Sequence, residues 1–206
     1  MRKYSNNIYS QNGEDGIIEE ILKRLNIDVG FTVEFGAADG KWFSNTYNLV
    51  ENKGWSAFYI EGDDEKAKEL FKLRSDKIST SKQYVTSSGD NSLNEILKDV
   101  TKIDLLSIDV DGEDYHIWKA FDRQRPKIVI IEVNSSIPVG QDWIHDKNHQ
   151  GTSFTSMLKL GIEKGYDLVC HTGNMIFVRT DLTKGKFDDI ELNSANLFET
   201  KFLPRR

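Results

Sequence analysis

The chain of 206 residues has one cysteine, Cys170, and so no internal disulfide framework. That usage fits a reducing cytosol, and Cys170 lies in a strand-like run where an inert buried thiol is expected. No apolar run approaches the roughly 20 residues needed to span a bilayer, so membrane insertion is not expected. The first seven residues, MRKYSNN, lack the apolar core of a signal peptide, and a cytoplasmic location is the expectation. Repeats and low-complexity linkers are missing too, which favours one domain over 1–206. Positive charge is not in excess. The formal net charge of −6 argues against a large nucleic-acid footprint. What is present is ordinary: 38% hydrophobic and 29% charged residues, enough for one sizeable core.

Hydrophobic spacing organises the chain into alternating elements. Ile17, Ile18, Ile21, Leu22 and Leu25 share one helical face, so 14–25 reads as an amphipathic helix. Strands are expected near 31–35, 56–61, 77–85, 103–109 and 127–133. Helices are expected over 45–52, 63–74, 93–100, 114–121 and 153–164, with Gly54 ending the first of them. Residues 166–171 and 175–179 read as a hairpin about Thr172-Gly173-Asn174. The tail from Asp181 onward is weakly patterned. Five strand–helix alternations imply a parallel, doubly wound α/β sheet with helices on both faces. The hairpin adds one antiparallel strand.

The most informative stretch is Phe31 to Gly40, FTVEFGAADG. It reads as a strand running into a glycine turn whose short side chains admit a ligand close to the backbone. A Ser-Asn-Thr run at 44–46 supplies N-cap candidates for the following helix. Glu61 closes the next strand, 25 residues beyond Gly36, about where a ribose-binding carboxylate is expected. Glu34, Glu61, Asp109 and Glu132 all fall at or near C-terminal strand ends, the edge where open α/β sheets bind ligands.

Glu34-Phe35-Gly36-Ala37-Ala38-Asp39-Gly40 resembles motif I of class I S-adenosylmethionine-dependent methyltransferases. More closely, the chain resembles FkbM-type methyltransferases. The matching pieces are SQNGEDG at 10–16, VEFGAADG at 33–40, YIEG at 59–62, DLLSIDVDGED at 104–114 and GYDL at 165–168. The resemblance covers roughly 8–180. It implies a Rossmann-like seven-stranded sheet of order 3-2-1-4-5-7-6, strand 7 antiparallel, and O-methylation of sugars or natural products. It implies S-adenosylmethionine as cofactor. Glu34 would orient the loop or the methionine end, with Gly36, Ala37, Asp39 and Gly40 forming the turn. Glu61, followed by Gly62, would hold the ribose, and Val85 would flank the adenine. Asp109 would lie near the amino group or reacting centre. Gln11 and Gly13 could close over the methionine carboxylate.

A sugar hydroxyl must lose its proton, which calls for a base or a metal. Asp109 and Asp111, or His145 and His149 in the long 134–150 loop, are base candidates. Asp109, Glu132 and Asn134 offer oxygen ligands suited to Mg²⁺ or another divalent cation. Trp42, Phe43 and Trp143 could stack on an acceptor ring. The acceptor expected is a small molecule or glycan, a carbohydrate or sugar-nucleotide. The competing readings are an NAD-dependent oxidoreductase and a non-catalytic nucleotide-binding domain on the same fold. The first lacks the G-x-G-x-x-G turn it would need.

Overall fold

A computed structural model describes residues 1–148 and 150–199. Its seven strands are β1 (Phe31–Phe35), β2 (Ser56–Glu61), β3 (Ile78–Lys82), β4 (Leu105–Ile108), β5 (Ile128–Glu132), β6 (Tyr166–His171) and β7 (Asn174–Arg179). They form one sheet of order β3-β2-β1-β4-β5-β7-β6. All pairings are parallel except those of β7, which runs antiparallel to both β5 and β6. The expected topology is therefore present. The helices are α1 (Glu14–Leu25), α2 (Tyr47–Lys53), α3 (Asp64–Phe71), α4 (Leu93–Ile96), α5 (Asp114–Ala120), α6 (Phe154–Glu163) and α7 (Thr180–Thr183).

Side-chain alternation along the central strands builds two cores. Ile128, Ile130, Ile176 and Val178 point to the face covered by α1, α2 and α3, around Trp55. Val129, Ile131, Met175 and Phe177 point to the opposite face, against α5 and α6 around Trp118 and Phe154. Both faces are covered, so the strands read as continuous apolar runs instead of alternating ones. None of the helices among the described residues is long and apolar enough to cross a membrane.

Some boundaries differ from the sequence reading for local reasons. The expected helix over 93–100 stops after Ile96, where the Gln124 side-chain amide donates to the carbonyls of Leu97 and Val100. Helix α2 begins at Tyr47, not 45, because Ser44 and Thr46 turn their hydroxyls to Glu34. Gly54 ends it with φ +77, as expected of a left-handed cap.

Strands β1 and β4 converge just past their ends. A Cβ on Gly36 would lie 1.5 Å from the Asp109 carbonyl oxygen, and Gly36 has φ +71. Gly36→Ala is expected to destabilise the fold by on the order of 3 kcal/mol. Gly54→Ala, at the similar φ of +77 but with nothing within 4 Å of its Cβ, should cost only about 1 kcal/mol. Urea unfolding of the two variants checks this; equal costs would contradict the close approach.

Candidate functional site

The parallel strands β1, β2 and β4 deliver Glu34, Glu61 and Asp109 to a single cleft of about 500 Å³ at the C-terminal edge of the sheet. Gly36, Ala37, Gly62, Val85, Asp111 and Gln11 also line it. The sequence-predicted residues that meet here come from five separate segments, brought together by strand order and by the loops at 11 and 85.

Glu34 is buried and serves the scaffold of the site. Its Oε2 accepts from the hydroxyls of Ser44 and Thr46, each at 2.6 Å. Its Oε1 accepts from the Asn45 amide at 3.0 Å and the Ser107 hydroxyl at 3.4 Å. Burial pushes its carboxyl upward, and the donors from Ser44, Thr46, Asn45 and Ser107 pull it back. The carboxylate thereby fixes the 44–46 segment, and with it the entrance to α2.

Glu61 is also mostly buried. Its Oε2 accepts from the Ala38 amide at 2.7 Å and its Oε1 from the Asp63 amide at 2.8 Å. Each oxygen keeps further acceptor capacity, and the residue lines the cleft. Ala38 takes φ +50 to make its contact. The Tyr84 ring lies on Gly62, whose Cβ position is 2.2 Å from the Tyr84 Cδ1. Tyr84 and Val85 thus wall the side of the cleft beside Glu61.

Other predicted residues shape the turn without lining the cleft. Asp39 Oδ1 accepts from the amides of Lys41 and Trp42, closing the loop. Gly40 packs against Leu70 and Leu73 of the α3 region. Gly13 has φ +96 and presses on Ser5, while Gln11 of the same loop reaches the cleft. That loop is held by Asp15, whose Oδ2 accepts from the amides of Ile8, Tyr9 and Ser10. The α1 cap itself is Gly13 in a left-handed conformation, with no side-chain cap bond.

The ends of β4 and β5 and the loop after β4 are acidic. Asp109, Asp111 and Glu132 each place one carboxylate oxygen within 4.8 Å of the others. Asp109 is pushed up to about 8, first by crowding against protein and then by Glu132, Asp114, Asp111 and Glu34. It is exposed to the cleft, and water there screens the group while leaving the direction upward. Glu132 is pushed up to about 7, by burial and then by Asp114 and Asp111. Asp114 pins the loop between them, accepting from the amides of Val110 at 2.9 Å and Gly112 at 2.8 Å. Glu113 has no side-chain cap bond.

Asn134 points elsewhere: its Oδ1 accepts from the amide and hydroxyl of Ser136, and its Nδ2 donates to the Gln150 carbonyl. The three clustered oxygens come from Asp109, Asp111 and Glu132, so Asp111 stands where Asn134 was expected. His145 packs on Gly112, with Nε2 3.8 Å from Glu113. Its Nδ1 accepts from the Gly151 amide at 3.0 Å, so the ring proton of the neutral form sits on Nε2. His149 lies outside the described residues. Sequence reasoning missed Asp63, Lys66 and Glu113 in the lining. The position of Asp63 and Lys66 in the first turn after Gly62 was the available signal.

The raised carboxyls set a pH signature. Asp109 ionises near 8 when folded and near ~3.9 when unfolded, so its neutral form is favoured by folding. That contribution is fully present below the unfolded value and is lost as pH rises through the folded one. Asp109→Asn should therefore gain stability over wild type as pH climbs from about 4 to about 8, by about 1 kcal/mol or less after solvent screening. Melting curves across that range check it; a variant uniformly less stable would contradict it.

Residues 89–168 match the methyltransferase FkbM domain family. No curated protein matches the chain. Several solved structures share the fold. The METTL16 methyltransferase domain has a TM-score of 0.51 at 14% identity, over 80% of this chain and 66% of its own. The [4+2]-cyclase SpnF has a TM-score of 0.51 at 13% identity, over 81% and 64%. A chain of the complex between the Haloferax volcanii Trm112 methyltransferase activator and a putative methyltransferase has 0.50 at 11%, over 81% and 89%. At such identities the likeness speaks to fold, and the cyclase shows that one fold serves different chemistries. The FkbM domain match covers residues 89–168, and the sheet order is the one that resemblance implies.

Proposed function

We propose that the cleft binds S-adenosylmethionine and that the protein transfers its methyl group to a hydroxyl of a small polar acceptor of carbohydrate type. The observation that carries this is the convergence of Glu61, the Gly36 turn and Asp109 on one cleft. The residues fit the cofactor. Glu61 retains acceptor lone pairs for two ribose hydroxyls, Tyr84 and Val85 give the adenine a flat wall, and Gln11 can donate to a carboxylate. The carboxylate-rich lining also suits a cofactor bearing a net positive charge.

When bound, the sulfonium supplies an electrophilic methyl whose bonding pair returns to sulfur as the new oxygen–carbon bond forms. The chain's own residues orient and deprotonate. Asp109 sits at the end of β4, and its raised carboxyl is matched to taking a hydroxyl proton near neutral pH. Glu132 stands beside it and disfavours a second negative charge, sharpening that match. Alignment of acceptor and donor supplies the rest of the acceleration.

A divalent cation is the second reading, supported by the three carboxylate oxygens within 4.8 Å. Asp109, Asp111 and Glu132 would hold it, a donor set suited to a hard ion that would acidify the acceptor hydroxyl. Asn134 would need to release Ser136 to join.

Calorimetric titration tests the assignment. S-adenosylhomocysteine is expected to bind and NAD is not, and Glu61→Gln should weaken binding by about tenfold or more, ~1.4 kcal/mol. Unchanged affinity in that variant would refute the ribose role. With an accepted substrate, kcat/KM should rise with pH and level off above about 8 as Asp109 ionises. The rate should survive exhaustive EDTA treatment; its loss and recovery with Mg²⁺ would establish the cation reading instead.

A further inference from the structure

The rim of the cleft carries a feature that cofactor binding leaves unused. Trp42 and Phe43 line it while 71% and 64% exposed, values unusual for residues of this size. They are held there. Asp39 fixes the Lys41 and Trp42 amides, and Phe43 adopts φ +63, a conformation that side chains of its kind rarely take. An aromatic wall pinned in the open is organised for a ligand and not for the core.

The charge lining the same cleft selects the ligand. The lining holds Glu34, Glu61, Asp63, Asp109, Asp111 and Glu113 against one cation, Lys66. Lys66 belongs to the Glu61–Asp63 end, where its amide is held by Asp63. At the reacting end no lysine or arginine joins the lining among the described residues. Lys41 is drawn off over the Tyr47 ring, 5.4 Å from its centroid, and His145 faces Glu113. Asp111 makes no hydrogen bond or ion pair among the described residues, and its backbone is held at φ +56. A phosphate-bearing acceptor such as a sugar-nucleotide would be repelled here, whereas an ammonium meets aromatic faces and carboxylates together.

We propose that the acceptor is an amine-bearing hydroxyl compound, such as an amino sugar or amino alcohol, whose ammonium rests between the Trp42–Phe43 wall and the Asp111 and Glu113 carboxylates while its hydroxyl faces Asp109. This rests on reading the cleft as the transfer site, and it narrows the carbohydrate class to its cationic members.

The test uses three probes of one shape, benzylamine, benzyl alcohol and benzyl phosphate, titrated at pH 7 into the full chain with and without S-adenosylhomocysteine. Tryptophan fluorescence and saturation-transfer NMR report binding. The protonated amine should bind at least about fivefold more tightly than the alcohol, and the phosphate more weakly than either. Trp42→Ala and Glu113→Gln should each weaken the amine about threefold or more, with circular dichroism confirming their folds. Equal affinities, preference for the phosphate, indifference to both substitutions, or no amine binding at tens of millimolar would overturn the proposal. The S-adenosylhomocysteine titration on the same samples reads the donor assignment separately, so failure of one is not confused with failure of the other.

Discussion

The site depends on a buried carboxylate that is fully occupied by the protein. Glu34 lies one residue before the end of β1, inside the sheet, and accepts from Ser44, Asn45, Thr46 and Ser107. Taking such a group out of water is costly unless donors meet it, and here four do. The arrangement joins β1, the start of α2 and β4 through one side chain. Loss of any donor would leave charge buried and underserved, so the segment has little freedom to drift.

The same device recurs along the C-terminal edge. Asp15 gathers three amides of the 8–10 loop, Glu61 gathers Ala38 and Asp63, and Asp114 gathers Val110 and Gly112. Glu14 joins the amide of Asn12 to the hydroxyl of Thr172. Each carboxylate satisfies backbone groups that loops would otherwise leave unpaired. Loops stitched in this way can present Asp109, Asp111 and the aromatic rim in fixed positions. Three of the cleft's non-glycine residues, Ala38, Phe43 and Asp111, have left-handed backbones, which is strain held at the site by those anchors. Asp109 and Glu132 add like-charge repulsion, so these strand ends work against stability.

Much of the fold was legible because apolar runs and turn residues mark parallel strands strongly. The sequence of strands and helices, the Gly54 cap and the terminal hairpin all follow from local pattern. The acidic strand ends were legible too, since a carboxylate closing an apolar run is conspicuous. Partnership was not. Nothing local tells that Glu34 would be consumed by Ser44, Thr46 and Ser107, because the last lies 73 residues away. Nor does spacing reveal that Asn134 turns to Ser136 while Asp111 swings toward Glu132, since both depend on loop geometry. The helix end at 96 depends likewise on a distant side chain, Gln124, whereas the end at 71 closes locally, with the Lys72 amide bonding back to Glu69 and Leu70.

The proposed donor site is one cleft that would grip an adenosyl sulfonium through Glu61 and the Gly36 turn. A crystal structure of the chain with S-adenosylhomocysteine examines this directly. The ribose hydroxyls should lie within hydrogen-bond distance of Glu61, the adenine beside Tyr84 and Val85, and the sulfur toward Asp109. A ligand seated elsewhere, or a Glu61 carboxylate turned away from it, would contradict the account.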